Sequence, residues 1–167
     1  VASYVVSLFR PHIIRELNLA KHGYEVIPMD CTFTPSLNGG EGLARWADSS
    51  RTRREVSKFS RKDAEVYPEF ARTMTILSKF AKQIIDSPAP DINSYNPKQL
   101  FKLLKLGKGL KSLGSEMLHL NTKLLTMSAA DFLDMWFESE TLKAPMSVSG
   151  IIGTFQGVRS PGTAYVL

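Results

Sequence analysis

Residues 60–84 read SRKDAEVYPEFARTMTILSKFAKQI, and this stretch decides the fold. Val66, Phe70, Met74, Leu77, Phe80, Ala81 and Ile84 recur mostly three or four positions apart, as one face of an α-helix requires. Ser60, Arg61, Lys62 and Asp63 open the segment with polar residues suited to a helix start. Pro68 either bends this helix or marks its true beginning, because proline lacks the N–H that an interior position donates. The apolar stripe reads as a face turned to a core.

The helical rhythm continues on both sides of this stretch. Upstream, Asp48, Ser49 and Ser50 supply cap candidates, and Thr52 with Glu55 has capping-box spacing, so a short preceding helix is predicted. Downstream, Ser87-Pro88-Ala89-Pro90-Asp91 reads as an interhelix loop. Pro97 to Lys111 forms the next helix, with Gly107 and Gly109 as points of interruption, and Ser115 to Leu124 another. Ser128-Ala129-Ala130-Asp131 has a capping pattern, and Ser139 opens a short helix to about Met146. Ser160-Pro161 predicts a last helix running to Leu167, with proline at its first position.

The first third differs. Arg10-Pro11 opens a short helix to about Leu17, and His22-Gly23 stops it. Tyr24 to Met29, Cys31 to Thr34 and Leu43 to Ala47 read as three short strands, with Asn38-Gly39-Gly40 turning between the last two. The expected fold is α+β and predominantly helical: a small antiparallel sheet near the N-terminus, then about six helices in one unit. Strands fall within about 24–47 and helices within about 48–167.

Bulk properties narrow the function classes. The 167 residues are enough for one domain with a real core, and 43% hydrophobic content with a mean hydropathy of −0.10 fits a globular chain. No run of about 18 apolar residues is present to span a membrane, and Val1 to Leu8 lacks the basic lead-in of a signal peptide. The single Cys31 excludes an intramolecular disulfide and suits the cytoplasm or another reducing compartment. Both ends are apolar and the last helix has barely begun, so the chain reads as a section of a larger polypeptide. Apolar surface left by such a cut favours a homo-oligomer.

Motifs with defined chemistry are absent. There is no GxGxxG, P-loop or nucleophile elbow, and His12, His22 and His119 have no metal-ligand spacing. The run Gly150-Ile151-Ile152-Gly153-Thr154-Phe155-Gln156-Gly157 has the wrong spacing for a phosphate loop and reads as a tight interhelix passage. Asp131, Asp134 and Glu138 can share a helix face, where they form its solvated side rather than a carboxylate pair. Lys98, Lys102, Lys105, Lys108 and Lys111 alternate with leucines. They make either a helix that lies on an anionic membrane surface, or an ordinary surface helix with its lysines in water. Arg51, Arg53, Arg54, Lys58, Arg61 and Lys62 form a second basic cluster within a net charge of +5, diluted by Asp48, Glu55, Asp63 and Glu65. It reads as an ion-paired surface, and nothing matches a nucleic-acid reader.

Three blocks carry a resemblance to a known family. They are Ser3-Tyr4-Val5-Val6-Ser7-Leu8-Phe9-Arg10-Pro11, Phe59 to Tyr67, and Met127 to Glu138 running on through Gly150-Ile151-Ile152-Gly153-Thr154-Phe155-Gln156-Gly157-Val158-Arg159-Ser160-Pro161-Gly162-Thr163-Ala164-Tyr165. Together they resemble the phytoene-dehydrogenase-related FAD-dependent oxidoreductases, especially the branch named for a pyridine nucleotide-disulfide oxidoreductase domain. The resemblance implies the inserted substrate-binding region, lying between two FAD-binding segments that this chain lacks. It implies FAD in the full-length parent and none on this chain alone, with the parent's FAD-binding domain as partner. The implied substrate is an apolar small molecule whose C–C or C–N single bond becomes double as the flavin takes a hydride equivalent. By position in the family, Ser3, Tyr4 and Ser7 would follow the first FAD-binding segment. Ser160, Pro161, Gly162, Thr163 and Tyr165 would approach the flavin–substrate junction. No acid or base is assigned.

Overall fold

The 60–84 stretch forms one helix without a break. We describe a computed structural model covering residues 6, 9–36, 39–85, 88–91, 93 and 96–167. Its elements in chain order are α1 (Pro11–Glu16), β1 (Cys31–Thr34), β2 (Leu43–Trp46), α2 (Ser49–Val56), α3 (Arg61–Ile85), α4 (Pro97–Ser112), α5 (Gly114–Thr126), α6 (Ala129–Asp134) and α7 (Glu140–Ser147). Short 3₁₀ turns lie at Leu19–His22, Val148–Ile151 and Thr163–Val166. The fold is α+β and mostly helical, as the sequence predicts. Asn38 of the predicted turn and Ser87 of the predicted loop lie outside the described residues.

Helix α3 begins where Ser60 caps it: the Ser60 hydroxyl accepts the Asp63 N–H at 3.1 Å. Pro68 therefore lies inside the helix, on its exposed side, and does not mark its start. Burial of Ala64 and Phe70 on either side holds the helix together across the missing N–H. Phe70, Leu77 and Phe80 of the predicted stripe are buried, whereas Ile84 is exposed near the helix end.

The core forms where α3 meets α6 and α7. Phe132, Leu133 and Leu142 are at most 1% exposed, joined by Leu43, Val56, Leu124 and Ala164. Phe70 packs edge-on against Phe137 with ring centroids 4.9 Å apart and against Trp136 at 5.5 Å, geometries that favour aromatic pairs beyond the area they bury.

The sheet has two strands where the sequence predicts three. β1 and β2 pair antiparallel with Cys31 opposite Trp46 and Thr34 opposite Leu43. Tyr24 to Met29 has no regular secondary structure and pairs with no strand. Pro28 has no N–H to give a ladder, and Val26, Ile27 and Met29 point into solvent, so the segment has neither bonds nor burial to fix it in a sheet.

Two other expectations at helix ends change. Asp48, one of the predicted cap candidates, caps α2, its carboxylate accepting the Ser50 N–H at 2.8 Å, while Thr52 forms no capping box with Glu55. Thr52 is fully buried, and its hydroxyl accepts the Trp46 N–H and donates to the Trp46 carbonyl, closing the end of β2. Residues 160–167 do not form the predicted α-helix. Gly162 sits at φ 83°, a left-handed conformation incompatible with a helix starting at Pro161, and only a 3₁₀ turn follows. Gly107 and Gly109 do not interrupt α4.

Candidate functional site

The C-terminal block folds back over the start of α6. A short helix leaves its first N–H groups without intrahelical partners, and here each of the first three finds one. The Ala129 N–H donates to the Thr163 hydroxyl at 2.9 Å, the Ala130 N–H to the Val158 carbonyl at 3.0 Å, and the Asp131 N–H to the Ser128 hydroxyl at 3.0 Å. Thr163 is 1% exposed, and its hydroxyl also donates to the Ser160 carbonyl at 2.7 Å. The Met127 carbonyl accepts both the Gly162 and the Ala164 N–H.

This lattice admits little extra volume at Gly150, where a Cβ would stand 2.7 Å from the Thr163 carbonyl oxygen and 2.8 Å from the Ala129 Cβ. The tight interhelix passage predicted for residues 150–157 is thus real at Gly150. Beyond it the chain runs out into solvent, and Phe155 is fully exposed.

The candidate residues of the last block therefore divide. Thr163 and Gly162 are tied into the fold, the Ser160 hydroxyl accepts the Gly157 N–H at 3.2 Å, and Pro161 is exposed. Tyr165 alone reaches a groove. That groove, about 450 Å³ in volume, runs between α3, α5 and the final 3₁₀ turn. Its wall is apolar at Met74, Leu77, Ala81, Leu124 and Val166. Arg10, Lys79 and Lys82 set positive charge around it, and Asn121 places a polar side chain along it. Arg10 belongs to the first block of the resemblance and Tyr165 to the last, so the fold brings two distant blocks to one depression. Ser3, Tyr4 and Ser7 lie outside the described residues.

A second organised cluster joins α3 to the turn before α7. Asp63 is fully buried and accepts the Glu138 N–H and the Ser139 N–H, each at 2.9 Å. The Glu138 carboxylate takes the Ser60 hydroxyl at 2.9 Å and Lys62 at 3.2 Å, and these bonds hold its carboxyl below the usual carboxylate range. Asp134 pairs with Lys143 at 2.6 Å, and with Glu140 on the same ammonium it pushes the lysine up. The three acids of the sequence reading are therefore paired, and Glu138 lies beyond the end of α6. Nearby, burial pushes the Tyr67 phenol up against the opposing pulls of Arg45 and Thr52. Sequence reasoning names Asp63 only as a helix-opening residue and Thr163 only as a candidate near the flavin, and misses their buried hydrogen-bonding roles, because a polar residue's burial leaves no periodic signal.

The lysine-rich helix stands apart from this core. Helix α4 buries no residue, and Leu100, Phe101 and Leu104 are 45–69% exposed beside the five lysines. No described helix is long and apolar enough to cross a membrane. No group of three or more His, Cys, Asp or Glu among the described residues could hold a metal ion.

Comparison with known proteins places the chain beside named relatives. No family model matches it, and no solved structure is significantly similar. It is 32% identical over 180 aligned positions to the pyridine nucleotide-disulfide oxidoreductase domain-containing protein 2 of Rattus norvegicus, and 33% over 179 to that of Mus musculus. Each alignment takes in 99% of this chain and 31% of the relative. The chain is thus similar along its whole length to about a third of proteins named for an oxidoreductase domain.

Proposed function

We propose that this chain is the substrate-binding part of a flavin-dependent oxidoreductase of the phytoene-desaturase and amine-oxidase type, acting with an FAD-binding domain and not alone. The observation that carries this reading is the apolar groove, which joins the first and last blocks of the family resemblance at Arg10 and Tyr165. Its volume falls in the range of small-molecule sites, and its lining suits an apolar substrate held by a few polar groups. The flavin would supply the redox chemistry when bound. This chain's residues would bind and orient the substrate and exclude water. Lys79 and Lys82 would favour an anionic end on an otherwise apolar molecule.

The test is a chimera in which this chain replaces the matching third of the rat relative. The expected protein is yellow, and Ala81→Trp, which fills the groove, slows flavin reduction by an added apolar substrate without removing flavin. A colourless chimera, or one whose flavin reduction ignores Ala81→Trp, sinks the reading.

A second reading has its own observation. Helix α4 carries five exposed lysines, no acidic residue and the exposed trio Leu100, Phe101 and Leu104. We infer that Lys98, Lys102, Lys105, Lys108 and Lys111 hold it to an anionic lipid surface, each cation near the surface contributing about 1 kcal/mol, while the trio enters the headgroup layer. Co-sedimentation with phosphatidylserine vesicles at low salt, lost in Phe101→Asp, is the expected result. Equal binding to purely zwitterionic vesicles would remove the lysines from the account.

A further inference from the structure

The six basic residues crowded into positions 51–62 are sorted by the fold into two sets. Arg51 lies 3.4 Å over the Trp46 ring and pairs with Asp30. Lys58 pairs with Glu55 at 2.8 Å, which pushes the lysine up, and Lys62 pairs with Glu138. Arg53, Arg54 and Arg61 make no ion pair among the described residues, and all three line one cleft of about 440 Å³ between α2 and the start of α3.

The neighbouring acids are sorted as well. Asp48 is spent on the Ser50 N–H, Glu55 on Lys58, and Asp63 is buried against the backbone of Glu138 and Ser139. Glu65 is the acid that lines the cleft. Three arginines and one glutamate line the cleft, a surplus of two positive charges, and Ser50 and Ser57 line it with them. Like charges on adjoining helices repel, and a bound anion reverses the sign of that interaction.

The geometry points to a binding site in this cleft for a phosphate-bearing small molecule with two or more negative charges. Guanidinium forks bind phosphate oxygens two at a time, which an ammonium does not. The charge surplus selects a dianion or pyrophosphate over a single carboxylate, and a cleft lined mainly by one sign of charge concentrates such ions. The site shares no residue with the apolar groove and stands whether or not the substrate-binding reading survives.

The experiment is calorimetric titration of the chain with inorganic pyrophosphate at low salt. One saturable site is expected, with inorganic phosphate weaker. Arg53→Gln, Arg54→Gln and Arg61→Gln combined should weaken binding about tenfold or more, whereas Lys58→Gln with Lys62→Gln should leave it within about twofold. Should the triple variant fail to fold by circular dichroism, single variants keep the test: Arg54→Gln weakens and Glu65→Gln strengthens binding. Absence of saturation at millimolar pyrophosphate overturns the proposal. So does equal loss in the lysine pair, or an oligonucleotide that displaces pyrophosphate and depends on the lysines as much as on the arginines.

Discussion

The carboxylate of Asp63 accepts the backbone N–H of Ser139 at 2.9 Å, across 76 positions of sequence. Its other oxygen accepts the Glu138 N–H, so one fully buried side chain fixes the turn between α6 and α7 to the start of α3. The aromatic core of Phe70, Trp136 and Phe137 sits beside this joint, and its packing depends on the turn holding its place.

Asp63→Ala leaves two N–H groups without acceptors and should cost about 3 kcal/mol or more, because bonds to a charged group are worth about 1.5–3 kcal/mol each. Asp63→Asn keeps one acceptor oxygen and should cost about half as much. Urea unfolding with unchanged m-value measures both. An alanine variant within about 0.5 kcal/mol of the parent would show that the turn is held by packing alone.

Thr163→Val preserves shape but removes the acceptor for the Ala129 N–H. A loss of about 1–3 kcal/mol is expected, with Thr163→Ser close to the parent. Equal stability of the valine and serine variants in thermal melts would count against the hydrogen bond.

Two glycine substitutions should act in opposite directions. Gly150→Ala drives a Cβ into the Thr163 carbonyl and the Ala129 methyl, and should destabilise by about 1–3 kcal/mol. Gly107→Ala, inside α4 with nothing within 4 Å of its Cβ, should stabilise by about 0.5–1 kcal/mol. Denaturation midpoints that move in the same direction would contradict this assignment of the two sites.

Glu138 gives a pH dependence with a definite sign. Ser60 first and Lys62 second lower its carboxyl in the folded chain. Its contribution is therefore complete above the unfolded-state value of roughly 4.3 and is lost as pH falls through the lower folded value. The stability gap between the parent and Glu138→Gln should be level from about pH 5 to 7 and narrow as pH drops below roughly 4. A gap that stays level down to about pH 3 would refute the linkage.

Much of the architecture can be read from residues alone. The period of Phe70, Leu77 and Phe80 puts one face of α3 in the core, because a helix returns to the same side about every 3.6 residues. Ser128 announces α6 because a hydroxyl at that position reaches back to a free N–H. Local patterns fail where the outcome depends on a distant partner. Val26 and Ile27 have strand-like side chains, yet no neighbouring strand among the described residues supplies bonds, and Thr52 has cap spacing but closes the end of β2.

The sequence by itself determined a mostly helical α+β chain with a small antiparallel sheet, a lysine stripe along residues 98–111 and three blocks of family resemblance, since period and turn chemistry are local properties. Tertiary structure alone decided that Asp63 is buried, that Tyr165 and not Thr163 reaches the groove, and that Arg53, Arg54 and Arg61 share one cleft outside the ion pairs of their neighbours. Such outcomes depend on which side chains the packing of α2, α3, α6 and the final turn brings within hydrogen-bonding distance, and chain order carries no measure of that distance.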